Sequence, residues 1–435
     1  MSGHRLFTGI PAIGMGRRSG RNISVTMGAQ LFRFALQMLA TISLGRLLTP
    51  EDYGLVAMAS VVTNFAVLFK DAGLAQATVQ RDAILQAQIS TLFWINVILS
   101  ALLSLAVLIA SPVIGWVFGD PRLIALTAVL ALPLFGSGLG LQHRALLERN
   151  MRFTEVARAE VLGTALGVAI GIFSALKGAS YWSLALMQVT TTFSTTILIW
   201  SITKWKPGLW ERSTGVRTML KFGINLTGFN VVNYFARNID KIVLGKFHGS
   251  QPLGQYSLAY RFLMLPLAQI NAPISRVLLP ALSRLQNDDH AYQDLYFKYI
   301  RLIAWFTILP IISGALIGEE LIVLLLGKNW QTAGQIFEIL AIASMFQPVS
   351  NLAGLLYTSR AQTHMLLRWG IFASIVTVTG FLLGSFWGAK GVATGYAITS
   401  ISLTLPCWWW ACRICQVSFS RYLRVVGVPS IIGLV

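Results

Sequence analysis

The sequence predicts an all-α integral membrane protein built from two like-oriented bundles of six helices. Three observations predict it. Hydrophobic residues fill 55% of the 435 positions and charged residues only 11%, where soluble chains carry about 25% charged residues. Basic residues are segregated between alternate loops. A corner-forming stretch at Leu44–Gly54 recurs at Leu244–Gly254, in the same place in each half of the chain.

A helix crosses the hydrocarbon core with about 20 apolar residues. Such stretches lie at 24–45, 54–76, 89–118, 123–142, 156–176 and 181–202, and again at 220–244, 254–280, 300–318, 332–357, 366–387 and 391–412. A thirteenth begins near Tyr422 and runs into "VVGVPSIIGLV", too short to cross. The expected organisation is therefore a cytoplasmic N-terminal segment (1–23), an N-terminal six-helix lobe (24–203) and a cytoplasmic linker (204–219). A C-terminal six-helix lobe (220–413) and the start of an additional, truncated helix (414–435) follow.

With the N-terminus inside, 23 of the 34 Lys and Arg residues fall on the N-terminal segment and the even-to-odd loops. Six fall opposite: Arg46, Arg122, Lys177, Lys246, Lys328 and Lys390. Positive residues collect on the cytoplasmic side, so this asymmetry predicts a cytoplasmic N-terminus. It also accounts for the net charge of +18 without a nucleic-acid partner. Trp116, Trp182, Trp200, Trp205, Trp210, Trp330, Trp387 and Trp408–Trp410 stand near span ends, as interfacial anchors do. "RRSGR" (Arg17–Arg21) reads as an orientation anchor. The apolar run before it is broken by Pro11 and glycines, unlike a cleavable signal.

The sequence calls for no metal or cofactor. "CRIC" (Cys412–Cys415) has Cys-x-x-Cys spacing but lacks a second pair to complete a zinc site. Its residues read as small members of a membrane helix. The five histidines are scattered.

At an offset of 200, Ile42, Leu44, Gly45, Gly54 and Ala59 match Ile242, Leu244, Gly245, Gly254 and Ala259. Arg46 corresponds to Lys246. At an offset of 210, "KGASYWSLA" (Lys177–Ala185) corresponds to "WGAKGVATG" (Trp387–Gly395). Six spans separate the copies. Six is even, so both halves run the same way through the membrane, as in repeats related by an axis along the membrane normal. Substrate sites in such folds lie between the halves.

"LGRLLTPEDYGLVAMASVVTNFAVLFKDAGLAQATVQR" and "RNIDKIVLGKFHGSQPLGQYSLAYRF" resemble the polysaccharide transporter family, the Wzx-type flippases of the MATE/MviN-like superfamily. "ERNMRFTEVARAEV" followed by "KGASYWSLA" is similar to the same family, and the likeness covers nearly the whole chain. The resemblance implies two six-helix lobes forming a V around a central cavity, usually with two further C-terminal helices. It implies alternating-access transport of undecaprenyl-pyrophosphate-linked oligosaccharides across the bacterial inner membrane for lipopolysaccharide or exopolysaccharide assembly. It also implies an ion gradient as driver in many members, and a place beside the glycan polymerase machinery.

Charges inside a span are costly and tend to face a cavity or a partner. Arg33 lies near the middle of the first span. Asn230, Asn233, Arg237 and Lys241 recur at helical spacing along span 7, and Arg261 lies two turns into span 8. One reading is a cationic lining for the pyrophosphate and acidic sugars, because the arginine fork matches phosphate. The other pairs Arg237 with Asp240 at (i, i+3) and lets Lys241 reach outward. The depth of Arg33 favours the cavity. Asp71, Asp240, Glu160 and Glu338 are candidate carboxylates for coupling to H⁺ or Na⁺; of Asp71, Glu160 and Glu338, Glu338 is the deepest and the foremost candidate for a proton site. Rival readings are a lipid II or drug exporter of the same superfamily, a membrane glycan polymerase or ligase, and a non-transporting scaffold. The Arg-rich lining argues against cationic drugs, and the short outer loops argue against a catalytic loop.

Overall fold

A hydrophobic chain satisfies its backbone in lipid by winding into helices, and this chain does so almost throughout. The computed structural model describes residues 6–8, 15–70, 75, 78–79, 83–210, 234 and 238–434. Two compact units divide it, Met1–Arg237 and Asn238–Val435. The first holds α1 (Met15–Leu47), α2 (Pro50–Lys70), α3 (Gln86–Phe118), α4 (Arg122–Arg149), α5 (Phe153–Leu176) and α6 (Trp182–Thr203). The second holds α7 (helical over 238–248), α8 (Ser250–Arg284), α9 (Asp289–Leu316), α10 (Gly318–Leu326), α11 (Gln331–Ser344), α12 (Gln347–Ser359), α13 (Thr363–Ser385), α14 (Gly388–Ile414) and α15 (Phe419–Leu434).

Among the described residues, eight helices are long and apolar enough to cross a membrane: α2 to α6, α9, residues 328–359 taken together, and α13. The chain is a multi-pass membrane protein. α1, α8 and α14 also run for 33, 35 and 27 residues. Their polar and charged residues dilute the apolar signal.

Three details differ from the sequence-based expectation. α1 begins at Met15, so "RRSGR" is helical and not a loop ahead of the first span. At about 1.5 Å per residue α1 is some 50 Å long, well beyond the hydrocarbon thickness. The span expected at 332–357 is two helices, α11 and α12, broken at Met345–Phe346. Pro348 lies in the first turn of α12, where a missing N–H costs nothing but continuation from an earlier helix is blocked. Finally, Leu6–Thr8 pairs antiparallel with Ala83–Leu85, a strand contact that neither short segment announces.

The repeated corners share one logic. In the first unit, the Thr49 amide donates to Asp52 Oδ2 at 2.8 Å, and the Asp52 amide donates back to Thr49 Oγ1 at 3.3 Å. This reciprocal box satisfies amides at the start of α2 that have no helical partner. Ser180, in the corner between α5 and α6, donates to the same carboxylate. Next to it, Glu51 pairs with Arg122 of the α3–α4 corner at 2.5 Å. In the second unit the turn is made by Gly249 at φ 83°, a conformation glycine adopts without strain. His248 Nε2 bonds the Ser385 carbonyl, in the corner between α13 and α14, at 2.6 Å. Gln255 donates to the Asn329 carbonyl at 2.8 Å and accepts from the Ala333 amide at 2.9 Å. Each unit thus ties its first corner to two others, with different side chains doing equivalent work. The repeat partners Leu44 and Leu244 are both buried, as are Ala59 and Ala259.

Small residues set the tightest helix pairs, as expected where lipid replaces water and close packing drives association. Gly163 and Gly167 of α5 admit Thr195 and Thr191 of α6. Gly380 and Gly384 of α13 face Gly395 and Gly391 of α14, backbone against backbone. The second unit has a large aromatic core in which Tyr296, Phe297, Trp408 and Tyr422 meet. Tyr422 is fully buried and donates to the Val349 carbonyl, so α15 is docked against the unit.

Candidate functional site: a basic cavity in the first unit

A cavity of about 320 Å³ opens in the first unit, lined by α1, α2, α4, α5 and α6. Its construction follows from small residues on α4. Gly136 and Gly140 let α4 approach α6 until Thr196 donates to the Gly136 carbonyl at 3.0 Å. The Gly163–Thr195 seam presses α5 against the same helix. What remains between them and α1 is a polar recess.

The charged groups in the recess come from four helices. Arg33 of α1 donates from Nη1 to Glu160 Oε2 at 2.6 Å. Arg144 of α4 donates from Nη1 to the other oxygen of Glu160 at 2.8 Å, and from Nε to Glu148 at 2.8 Å. Lys70, at the end of α2, donates to Ser137 at 2.9 Å. One carboxylate, Glu160, therefore stands among three cations on the lining. The side chains of Arg33, Arg144 and Glu160 are 38%, 45% and 20% exposed, so these pairs are accessible and each is of modest strength. Thr164, Thr191, Thr192, Thr195, Thr196 and Gln37 complete the lining. Arginine forks, a lysine and hydroxyls make a surface suited to an oxyanion beside a hydroxyl-bearing group. The volume sits at the low end of ligand pockets, about 300–1,000 Å³. It fits a headgroup and not a whole oligosaccharide.

The expected site residues are distributed unevenly around this recess. Arg33 lines it. Asn230, Asn233, Arg237 and Asp71 lie outside the described residues, so the stripe expected along span 7 is represented by Lys241 alone. Lys241 donates to Asn238 at 3.2 Å and sits 5.8 Å from the Tyr260 ring centroid. Asp240 is buried; it accepts from the Tyr256 hydroxyl and from the Lys241 amide, both at 2.8 Å. Arg261 is on α8, half-buried. Glu338 accepts from the Glu319 amide at 2.8 Å, placing its charge at the N-terminus of α10, where the helix dipole favours an anion. The second unit therefore holds Lys241, Asp240, Arg261 and Glu338, and none of them lines the recess around Arg33.

Sequence reasoning named Glu160 only as a candidate coupling carboxylate and did not single out Lys70 or Arg144. It also passed over "TTTFSTT" (Thr190–Thr196). Thr191 with Thr195, and Thr192 with Thr196, stand four residues apart and so share helix faces. That run of hydroxyls in a membrane span was the available signal.

Fold and recess together describe a multi-pass membrane protein with a basic, hydroxyl-lined recess in its first unit. The chain belongs to the polysaccharide biosynthesis protein family, which it matches over residues 43–335. It is 24% identical over 399 residues to the lipopolysaccharide biosynthesis protein WzxC of Escherichia coli K12, covering 90% of this chain and 80% of that one. It is 27% identical over 416 residues to the teichuronic acid biosynthesis protein TuaB of Bacillus subtilis, covering 93% and 83%. Its fold is that of the lipid II flippase MurJ in an inward closed conformation, with a TM-score of 0.72 at 14% identity over 94% of this chain and 91% of that one.

Proposed function

We propose that the protein is a flippase for lipid-linked oligosaccharides. It moves undecaprenyl-pyrophosphate-linked units from the cytoplasmic to the outer leaflet of the bacterial inner membrane, by alternating access, for lipopolysaccharide or exopolysaccharide assembly. The observation that carries the reading is the recess in which Arg33, Lys70 and Arg144 face one carboxylate beside a wall of threonines. Two arginine forks suit a pyrophosphate, and hydroxyls suit the adjoining sugar. Family membership and the names of the relatives support the substrate class, and the MurJ-like fold supports the mode of movement. The Lys/Arg asymmetry supports a cytoplasmic N-terminus.

Coupling to H⁺ or Na⁺ and handover to a glycan polymerase belong to the same proposal. Among the described residues, Asp240, buried against Tyr256, is the most sheltered of the expected coupling carboxylates. The test is reconstitution. Proteoliposomes loaded with the lipid-linked saccharide should expose it to an external glycosidase faster than protein-free vesicles do. Arg33→Gln should remove most of that gain. Equal rates with and without protein would refute the proposal.

A further inference from the structure

Glu160 occupies both guanidiniums that an incoming anion would need. Its two oxygens are divided between arginines of different helices, Oε2 to Arg33 at 2.6 Å and Oε1 to Arg144 at 2.8 Å. A diphosphate offers the same pattern: adjacent oxyanions, each ready for one fork. The carboxylate faces a cavity and not a sealed core, and all three side chains keep access to it.

We propose that Glu160 is an internal counter-ion that fills a diphosphate site in the empty protein and is exchanged for the diphosphate of the cargo. The source of that diphosphate rests on the flippase reading; the exchange itself does not. Two features make exchange workable. Arg144 keeps its Nε bond to Glu148 at 2.8 Å, so its fork stays aimed when Glu160 leaves. Lys70 is held on the same wall by Ser137 and adds a third cation. The device also meets an electrostatic need. A loaded site is neutralised by phosphate. An empty one would present clustered cations in a partly enclosed recess, which is costly, and Glu160 offsets that cost while the carrier resets. It further keeps anion affinity moderate, so cargo can leave.

The test uses the full-length protein in nanodiscs of neutral phosphatidylcholine, titrated with inorganic pyrophosphate. Glu160→Gln preserves shape and removes the competing charge. It should bind pyrophosphate about ten- to a hundred-fold more tightly than the unaltered protein, the scale of one or two charge-assisted hydrogen bonds. Adding Arg33→Gln or Arg144→Gln should cancel the gain. Glu160→Asp keeps the charge but is too short to bridge both arginines, and should give an intermediate affinity; it serves if Glu160→Gln folds poorly. A folded Glu160→Gln or Glu160→Asp protein that binds pyrophosphate no more tightly than the parent overturns the proposal, leaving Glu160 a mere neutraliser of Arg33. A second arm separates the sources. Undecaprenyl pyrophosphate placed in the nanodisc should displace inorganic pyrophosphate from Glu160→Gln. Tight pyrophosphate binding without such displacement would uphold the counter-ion and count against the flippase reading.

Discussion

The α13–α14 hairpin is where one added methyl group should be felt most. α13 packs chiefly on α14, and only 11% of its apolar stretch is buried, so its attachment depends on the glycine seam. A Cβ at Gly384 would lie 2.2 Å from the Gly391 carbonyl oxygen, and one at Gly395 would lie 2.2 Å from the Gly380 carbonyl oxygen. Ordinary contact begins near 3.4 Å, so Gly384→Ala must part the two backbones by about 1.2 Å. Neither carbonyl can swing aside, since each belongs to a helix. Forced overpacking of this kind costs about 1–3 kcal/mol. In a unit of this size that corresponds to a fall in melting temperature of about 3–10 °C. Gly370→Ala is the control. It lies on the same helix with nothing within 4 Å of its added methyl, and alanine favours the helix, so stability should be unchanged or slightly raised. The assay is thermal unfolding of the purified protein in one detergent. A Gly384→Ala protein as stable as Gly370→Ala would refute the close-packed seam.

Other outcomes follow from the corners and the recess. Asp52→Ala should destabilise the first unit by about 2 kcal/mol or more, because it removes the α2 capping box and leaves the Thr49 amide and Ser180 hydroxyl without their acceptor; thermal unfolding reads this. Arg33→Lys should restore transport only in part relative to Arg33→Gln in the glycosidase-access assay, since an ammonium cannot supply a fork. The Arg122 guanidinium, chiefly through its side-chain hydrogen bonds, holds the Asp120 carboxyl below its ordinary value of 3.8. Its contribution to stability is therefore present above pH 3.8 and is lost as pH falls through the lower folded value. Asp120→Asn should be slightly less stable than the parent at neutral pH, and the gap should close under strong acid in parallel melting curves.

The helical, multi-pass character was legible because apolar runs act locally and additively. The corners within Leu44–Gly54 and Leu244–Gly254 were legible for the same reason, although Gly54 and Gly254 themselves sit in the helices that follow. What the corners bond to was not. Asp52 finds Ser180 and His248 finds Ser385 only after folding, 128 and 137 residues away. The recess shows the same limit. Arg33 was marked by its cost in a membrane, but its partner is 127 residues distant. Arg144 lies in a stretch where a basic residue needs no explanation. The break at Met345–Phe346 was missed because hydropathy continues across it; Pro348 was the local clue.

The most direct measurement is the leaflet distribution of the lipid-linked saccharide in cells lacking this protein and any substitute exporter. The flippase account predicts accumulation on the cytoplasmic leaflet, relieved by the unaltered protein and not by Arg33→Gln. Normal delivery to the outer leaflet in those cells would contradict it.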